Sequence, residues 1–327
     1  MANLKEVAKK AGVSPATVSY VFSGNKPIGA AVRKKVLAVA DALGYRPDRY
    51  AQAMRTGRTN TIGLLLPNIL NGYFPELAQA IENRAHELGY SVILVDAQSD
   101  EQVERDGFKR LLDQRVDGIL WCPIYTDPLP PIPKCDKPIV FVDAMVVGEQ
   151  DHVCSDNAAV GKLIANYIAK LGHKEIGLLI GPRRIASASE RTAALRAAVQ
   201  GRFSVIWEEE IPLTAELTRA AVQQIQYSQA SFIVAPSDIA AIRTMKVLRE
   251  AGRRVPEDVS VMGYDDMPWS ELMHPSLTTV NQSTYAIGRE SIDLLISRLD
   301  SEPELSKRVL LDVKLVERES TRSLFDQ

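Results

Sequence analysis

The chain has 327 residues, 46% of them apolar and 24% charged, the composition of a soluble globular protein of two or three domains. No uninterrupted apolar run reaches the roughly 18 residues that span a bilayer, and the opening MANLKEVAKKAG lacks the apolar core and cleavage site of a secretory signal. Cys122, Cys135 and Cys154 form no CxxC pair and read as reduced, buried thiols, so a cytoplasmic protein without membrane association is expected.

The net charge of −2 conceals a division. Residues 1–60 hold eleven Lys/Arg against three Asp/Glu, a net +8, whereas the remainder holds 28 against 38, a net −10. A small cationic head on an acidic body points to a polyanionic partner for the head alone.

Within the head, Leu4, Val7, Ala8 and Ala11 recur at helical spacing and Gly12 ends the helix. Ser14-Pro15 starts a second helix, a hydroxyl N-cap before proline at the first helical position. Its residues Val18, Val21 and Phe22 suit packing inward, while Pro15, Ala16, Ser19, Tyr20 and Ser23 form a small, hydroxyl-bearing outer face. A third helix carries Val32, Val36, Val39 and Leu43 on one side and ends at Gly44. Two short helices joined by a tight turn, then a third, read as helix-turn-helix, and with the basic charge they indicate DNA binding. After Pro47 the stretch RYAQAMRTGRT favours a helix of barely two turns, too short to hold itself together in water. Its flanking Arg49, Arg55 and Arg58 call for a negatively charged support.

LKEVAKKAGVSPATVSYVFSG closely resembles the opening of the LacI/GalR family of bacterial transcription regulators, and the likeness continues through YRPDRYAQAMRTGRTNTIGLLLPN to LLDVKLVERESTR. The resemblance implies that the second helix enters the major groove of double-stranded operator DNA, with Pro15, Ala16 and Tyr20 at base edges. Ser14, Thr17, Ser19 and Ser23 would hold phosphates. It further implies a hinge helix, containing Arg49, Ala51, Met54 and Arg55, that folds on DNA and inserts Met54 into the minor groove where the family usually has leucine. Tyr20 replaces a frequent arginine, so that residue's preference for guanine is not implied.

From Ile62 onward, apolar strands alternate with amphipathic helices: IGLLLP, SVILVDA, GILWCP and PIVFVD, then a second cycle of IGLLIG, ASFIVAP and VSVMGYD. Gly89, Gly172 and Gly252 stand where helices need a left-handed last residue. Strands apolar throughout belong to parallel sheets covered on both faces, and two such sheets imply two lobes with a cleft between them. Ligands of open α/β sheets sit beyond the strands' carboxyl ends, which nominates Asn68 to Phe74, Trp121, Asp143, the segment from Gly181, Pro236 to Asp238, and Asp265.

The family resemblance narrows this set. Its effector domain is similar to periplasmic sugar-binding proteins, and by position Tyr73 and Phe74 match an aromatic pair, Arg191 a ligand-gripping arginine and Asp265 a ligand carboxylate. Asp156 is a third acidic candidate, and Ser237 stands where the family commonly has asparagine. The bland alternatives are a surface-paired Arg191 and an Asp265 that only caps its turn; Trp121, Trp207 and Trp269 read as packing residues.

An enzyme is the rival reading. DNAAVGK has the Gly-Lys of a phosphate loop, but Asp156 replaces the earlier glycine and Leu163 the metal-binding hydroxyl. No GxSxG turn occurs, and His86, His152, His173 and His274 are scattered without zinc-ligand spacing. His173 reads as serving a helix dipole. A periplasmic sugar carrier would share the body but not the head.

The expectation is therefore an all-α helix-turn-helix domain (residues 1–46), a hinge helix and linker (47–60), and a two-lobed α/β body with parallel sheets (61–327). The lobes are assigned to 61–160 and 161–284, with 285–327 crossing back to both. Expected partners are operator DNA, a sugar, sugar phosphate or purine-like effector and a second copy of the chain, with no cofactor, metal or catalytic residue.

Overall fold

The computed structural model describes residues 2–23, 26–46, 57–146, 148–199, 201–300 and 305–325. Contacts divide the chain into two compact units, Met1–Thr59 and Asn60–Gln327.

In the first unit α1 (Leu4–Ala11) opens with a capping box, in which Asn3 and Glu6 each accept the other's backbone N–H. Gly12 closes the helix in the left-handed region, φ 68°. Helix α2 (Pro15–Ser23) begins as its Ser-Pro pair requires: the Thr17 amide donates to Ser14 Oγ at 3.1 Å. Helix α3 (Ala30–Ala42) completes a core of Val7, Ala8, Ala11, Val18, Val21, Val36 and Ala40. Val32, assigned to the inner side by spacing, is exposed. Ala40, one turn beyond Val36, takes the inward place instead.

The second unit contains two parallel sheets. In lobe 1, β1 (Thr61–Leu66), β2 (Ser91–Asp96), β3 (Gly118–Trp121), β4 (Ile139–Val142) and β5 (Asp151–Ser155) are joined by β11 (Arg308–Leu311) in the order β11-β5-β4-β3-β1-β2. Every pairing is parallel, with Ile62 of β1 opposite Val92 on one side and Gly118 on the other. Alternate residues feed opposite faces. Ile62, Leu64 and Leu66 pack with α4 (Tyr73–Glu87) and α11 (Thr284–Asp300), whereas Leu65 packs with α5 (Glu101–Asp113), Trp121 and Phe141.

Lobe 2 repeats the plan with β6 (Glu175–Ile180), β7 (Ser204–Glu210), β8 (Phe232–Val234) and β9 (Ser260–Met262) in the order β7-β6-β8-β9. Leu178 and Phe232 face a cluster that includes α6 (Asn157–Leu171); Leu179 and Ile233 face one built on α8 (Arg219–Tyr227) and α9 (Asp238–Glu250). Helices α7 (Ala186–Val199) and α10 (Pro268–Leu272), and the antiparallel pair β10 (Thr279–Asn281) and β12 (Lys314–Val316), complete it. The chain passes between lobes after β5, after β10 and between β11 and β12. Polar bonds tie these passages together: Ser155 Oγ donates to Gln282 O at 3.1 Å, and Ser283 Oγ to Asp312 O at 2.9 Å.

Gly89, Gly172 and Gly252 take the left-handed conformation at φ 80°, 85° and 74°. His173 does not serve a helix dipole. It is buried, its two ring nitrogens bond Ser231 Oγ at 2.9 Å and Arg322 O at 3.0 Å, and it thereby pins the C-terminal segment to lobe 2. Strands β5, β7 and β11 lack the long apolar runs of β1, β2 and β6; β7 and β11 are edge strands with one half-exposed side.

Candidate functional site

On the head, Ser14, Pro15 and Ala16 are exposed and Thr17, Ser19 and Tyr20 half-buried, opposite buried Val18 and Val21. Ser14 Oγ, besides capping α2, shares a hydrogen bond with Thr17 Oγ1 at 2.9 Å, and Lys26 Nζ stands 4.9 Å from the centre of the Tyr20 ring. The helix thus presents hydroxyls at its start and a cation beside Tyr20 farther along, both suited to approach by a phosphate backbone. Arg49, Ala51, Met54 and Arg55, with the side chain of Ser23, lie outside the described residues.

In the body, the strand ends of both lobes meet at a cavity of about 110 Å³ lined by Tyr73, Phe74, Asp143, Arg191, Ser237 and Asp265. Tyr73 and Phe74 begin α4, both buried, with rings edge to face at 5.2 Å. Arg191 comes from α7, which can approach α6 because Gly161 has no side chain: a Cβ there would stand 2.5 Å from Arg191 O and Leu195 N. Gly161 is therefore a helix-packing glycine. The guanidinium lies 3.6 Å from the centre of the Tyr264 ring, a cation–π contact. Its Nη1 is buried without a hydrogen-bond partner.

Two carboxylates face this cation. Asp143 follows β4 at φ 52°, and Asp265 follows β9 at φ 130°, conformations that few non-glycine residues adopt and that concentrate at functional sites. Asp265 Oδ1 accepts from Gln282 Nε2 at 2.9 Å, and Gln282 Oε1 in turn accepts from Tyr264 Oη at 3.0 Å. Burial pushes the Asp143 carboxyl up to about 7, against the opposing pull of the Arg191 charge and the nearby Tyr73 hydroxyl. That hydroxyl approaches Asp143 without reaching bonding geometry and has no partner. Asp265 is pushed well above the carboxylate range by burial and then by the Asp238 charge, with Arg191 again opposing. Such shifts in a cleft make both carboxyls candidate binding groups.

Asp156 is not brought to the cavity. Its carboxylate caps α6, accepting the Ala159 amide at 2.9 Å, and Asn157 lines the cleft instead. Ser237 reaches the wall while its hydroxyl caps α9 through the Ala240 amide at 3.3 Å. Trp121 is buried behind the wall, its Nε1 donating to Glu104 Oε1 at 3.0 Å; Trp207 donates to Ser228 Oγ at 2.9 Å. Both pack, whereas Trp269 is 55% exposed. Among the described residues no group of His, Cys, Asp and Glu could hold a metal, and no helix is long and apolar enough to cross a membrane.

Residues 3–48 match the model of the bacterial regulatory proteins of the lacI family, and residues 165–321 that of the periplasmic binding protein-like domain. The ribose operon repressor of Lactococcus lactis subsp. lactis (strain IL1403) is 30% identical over 98% of both chains. The chain belongs to the lacI family of bacterial regulatory proteins. That family consists of transcription regulators and not enzymes. The HTH-type transcriptional repressor PurR of Photobacterium profundum is also 30% identical, over 99% of this chain and all of its own. Among solved structures, the lac repressor dimer bound to operator and the anti-inducer ONPF is similar with a TM-score of 0.83 at 27% identity, covering 98% of this lacI-family chain and 99% of its own.

Proposed function

We propose that this lacI-family chain is a cytoplasmic repressor that binds a palindromic operator as a homodimer and is controlled by an uncharged sugar of monosaccharide size held between the lobes. Arg191 carries the reading: a half-buried arginine whose buried Nη1 has no partner, facing Asp143 and Asp265. Charged donors and acceptors so arranged fix hydroxyl positions. Either carboxylate, once ionised, would repel a phosphate, whereas sugar hydroxyls can bond Asp143 and Asp265 in either protonation state. Tyr73 and Phe74 meet edge to face and expose little surface, which disfavours a planar base. The cavity of about 110 Å³ is on the scale of a single sugar ring. Identity alone does not choose, since ribose and purine repressors are equally similar.

For the head, the hydroxyl-bearing face of α2 supports operator contact through Ser14, Pro15, Ala16, Thr17, Ser19, Tyr20 and Ser23. Arg49, Ala51, Met54 and Arg55 would act in the minor groove from a helix that forms on DNA, giving amide protection at residues 48–56 only with operator. Dimerisation is supported by exposed Leu70 and Leu272, 87% and 80% accessible, near which Trp269 meets the loop at Gly72. The bound sugar and the operator must alter each other's affinity by one common factor.

A melting screen of neutral sugars, sugar phosphates and purines on the full chain, followed by operator footprinting with the best ligand, tests this. Neutral monosaccharides should stabilise and change the footprint. Stabilisation by phosphates or purines alone would refute the ligand class, and no footprint on any duplex would refute the regulator.

A further inference from the structure

Beside the cavity, protein groups bond directly from one lobe to the other. Tyr125, Thr126 and Asp127 follow β3 in lobe 1; Arg184 lies just before α7 in lobe 2 and Ala186 opens that helix. The Thr126 and Asp127 amides both donate to Arg184 O at 2.9 Å, and the Ala186 amide donates to Thr126 Oγ1 at 2.6 Å. The Arg184 side chain reaches further into lobe 1: its Nη1 donates to Glu101 Oε1 at 3.0 Å, and its guanidinium lies 3.9 Å from the centre of the Tyr125 ring.

These contacts border the cavity closely. Ile124 and Ile185, each one residue away, line it. Helix α5 supports the segment at two points, because Glu101 grips Arg184 while Glu104, one turn on, accepts the Ile124 amide at 2.8 Å. The Arg184 and Glu101 side chains are 47% and 42% exposed, so their attraction is weak and screened by salt. A clasp of several weak bonds closes often and opens often.

We propose that Arg184, with Glu101 and the segment Tyr125–Asp127, forms a gate whose opening sets how readily the cleft exchanges its contents. The clasp is distinct from the groups proposed to hold the effector, and its test needs none. Hydrogen exchange with mass spectrometry on the full chain reads the Thr126 and Asp127 amides in Arg184→Ala and Glu101→Gln, variants that leave the backbone bonds of those amides in place. Exchange at both amides should rise about tenfold in Arg184→Ala and less in Glu101→Gln, with β3 and β6 unchanged. Added salt should accelerate the parent but not Arg184→Ala. Labelling of Cys122, a buried thiol lining the cavity, by N-ethylmaleimide should quicken in step. Unchanged exchange and labelling in both variants would overturn the gate, as would a uniform rise across both lobes, which would make Arg184 a general structural residue.

Discussion

In lobe 2, Arg191 lies over the Tyr264 ring and Asp265 is held by Gln282, which Tyr264 and Ser155 also bond. Across the cleft in lobe 1, the Tyr73 hydroxyl ends without a partner, and Asp143 is held near neutrality by burial. Lobe 2 orients its groups through a hydrogen-bond network and leaves Arg191 Nη1 open, whereas lobe 1 keeps the Tyr73 hydroxyl unsatisfied without such a network; buried groups of this kind cost free energy until a partner arrives. Under the proposed function, a ligand seated on lobe 2 would gain most when lobe 1 closes onto it, and binding and lobe angle would be linked through Tyr73 and Asp143.

Substitutions can break this asymmetry from either side. Arg191→Ala should weaken the sugar selected in the melting screen by roughly 1,000-fold, from two charge-assisted bonds of about 1.5–3 kcal/mol each, measured by calorimetry, while operator binding persists. Asp143→Asn tests lobe 1 through pH. The folded carboxyl titrates near 7 and the unfolded one near ~3.9, so the native state holds the extra proton between these values. That contribution to stability is complete below the lower value and lost as pH rises through the higher one. Melting at pH 5 and pH 8 should therefore show the variant gaining on the parent towards pH 8, by about 2–3 kcal/mol; a constant difference would contradict the assignment. Gly161→Ala should force α6 from α7 and destabilise lobe 2 by about 1–3 kcal/mol, seen as a lower denaturant midpoint. Tyr73→Phe is the mildest: sugar affinity should fall by about 0.5–1.5 kcal/mol, with the melting temperature of the unliganded protein unchanged or raised.

Local chemistry made much of this architecture readable. Ser14-Pro15 could begin a helix and little else, and runs such as IGLLLP and IGLLIG are too apolar for anything but buried strands. The strand-end rule reached Asp143 as well as Asp265, although the family likeness singled out only the latter; the backbone at φ 52° that turns Asp143 inward depends on tertiary surroundings. Asp156 went astray because an aspartate before a helix serves equally well as a cap, and that local use prevailed. His173 finds partners 58 and 149 residues away, and Arg184 grips Glu101 from 83 residues on. No spacing rule sees such pairs.

The closing strands have a consequence for synthesis. Lobe 1 needs α11 and β11 to cover and finish its sheet, and β10 needs β12, so neither half of the body is whole until about residue 316 has been made. The helices that read DNA are complete near residue 42. At about 5–20 residues per second, nascent chains would display a finished basic domain for roughly 15 to 50 seconds before the sensor that governs it exists.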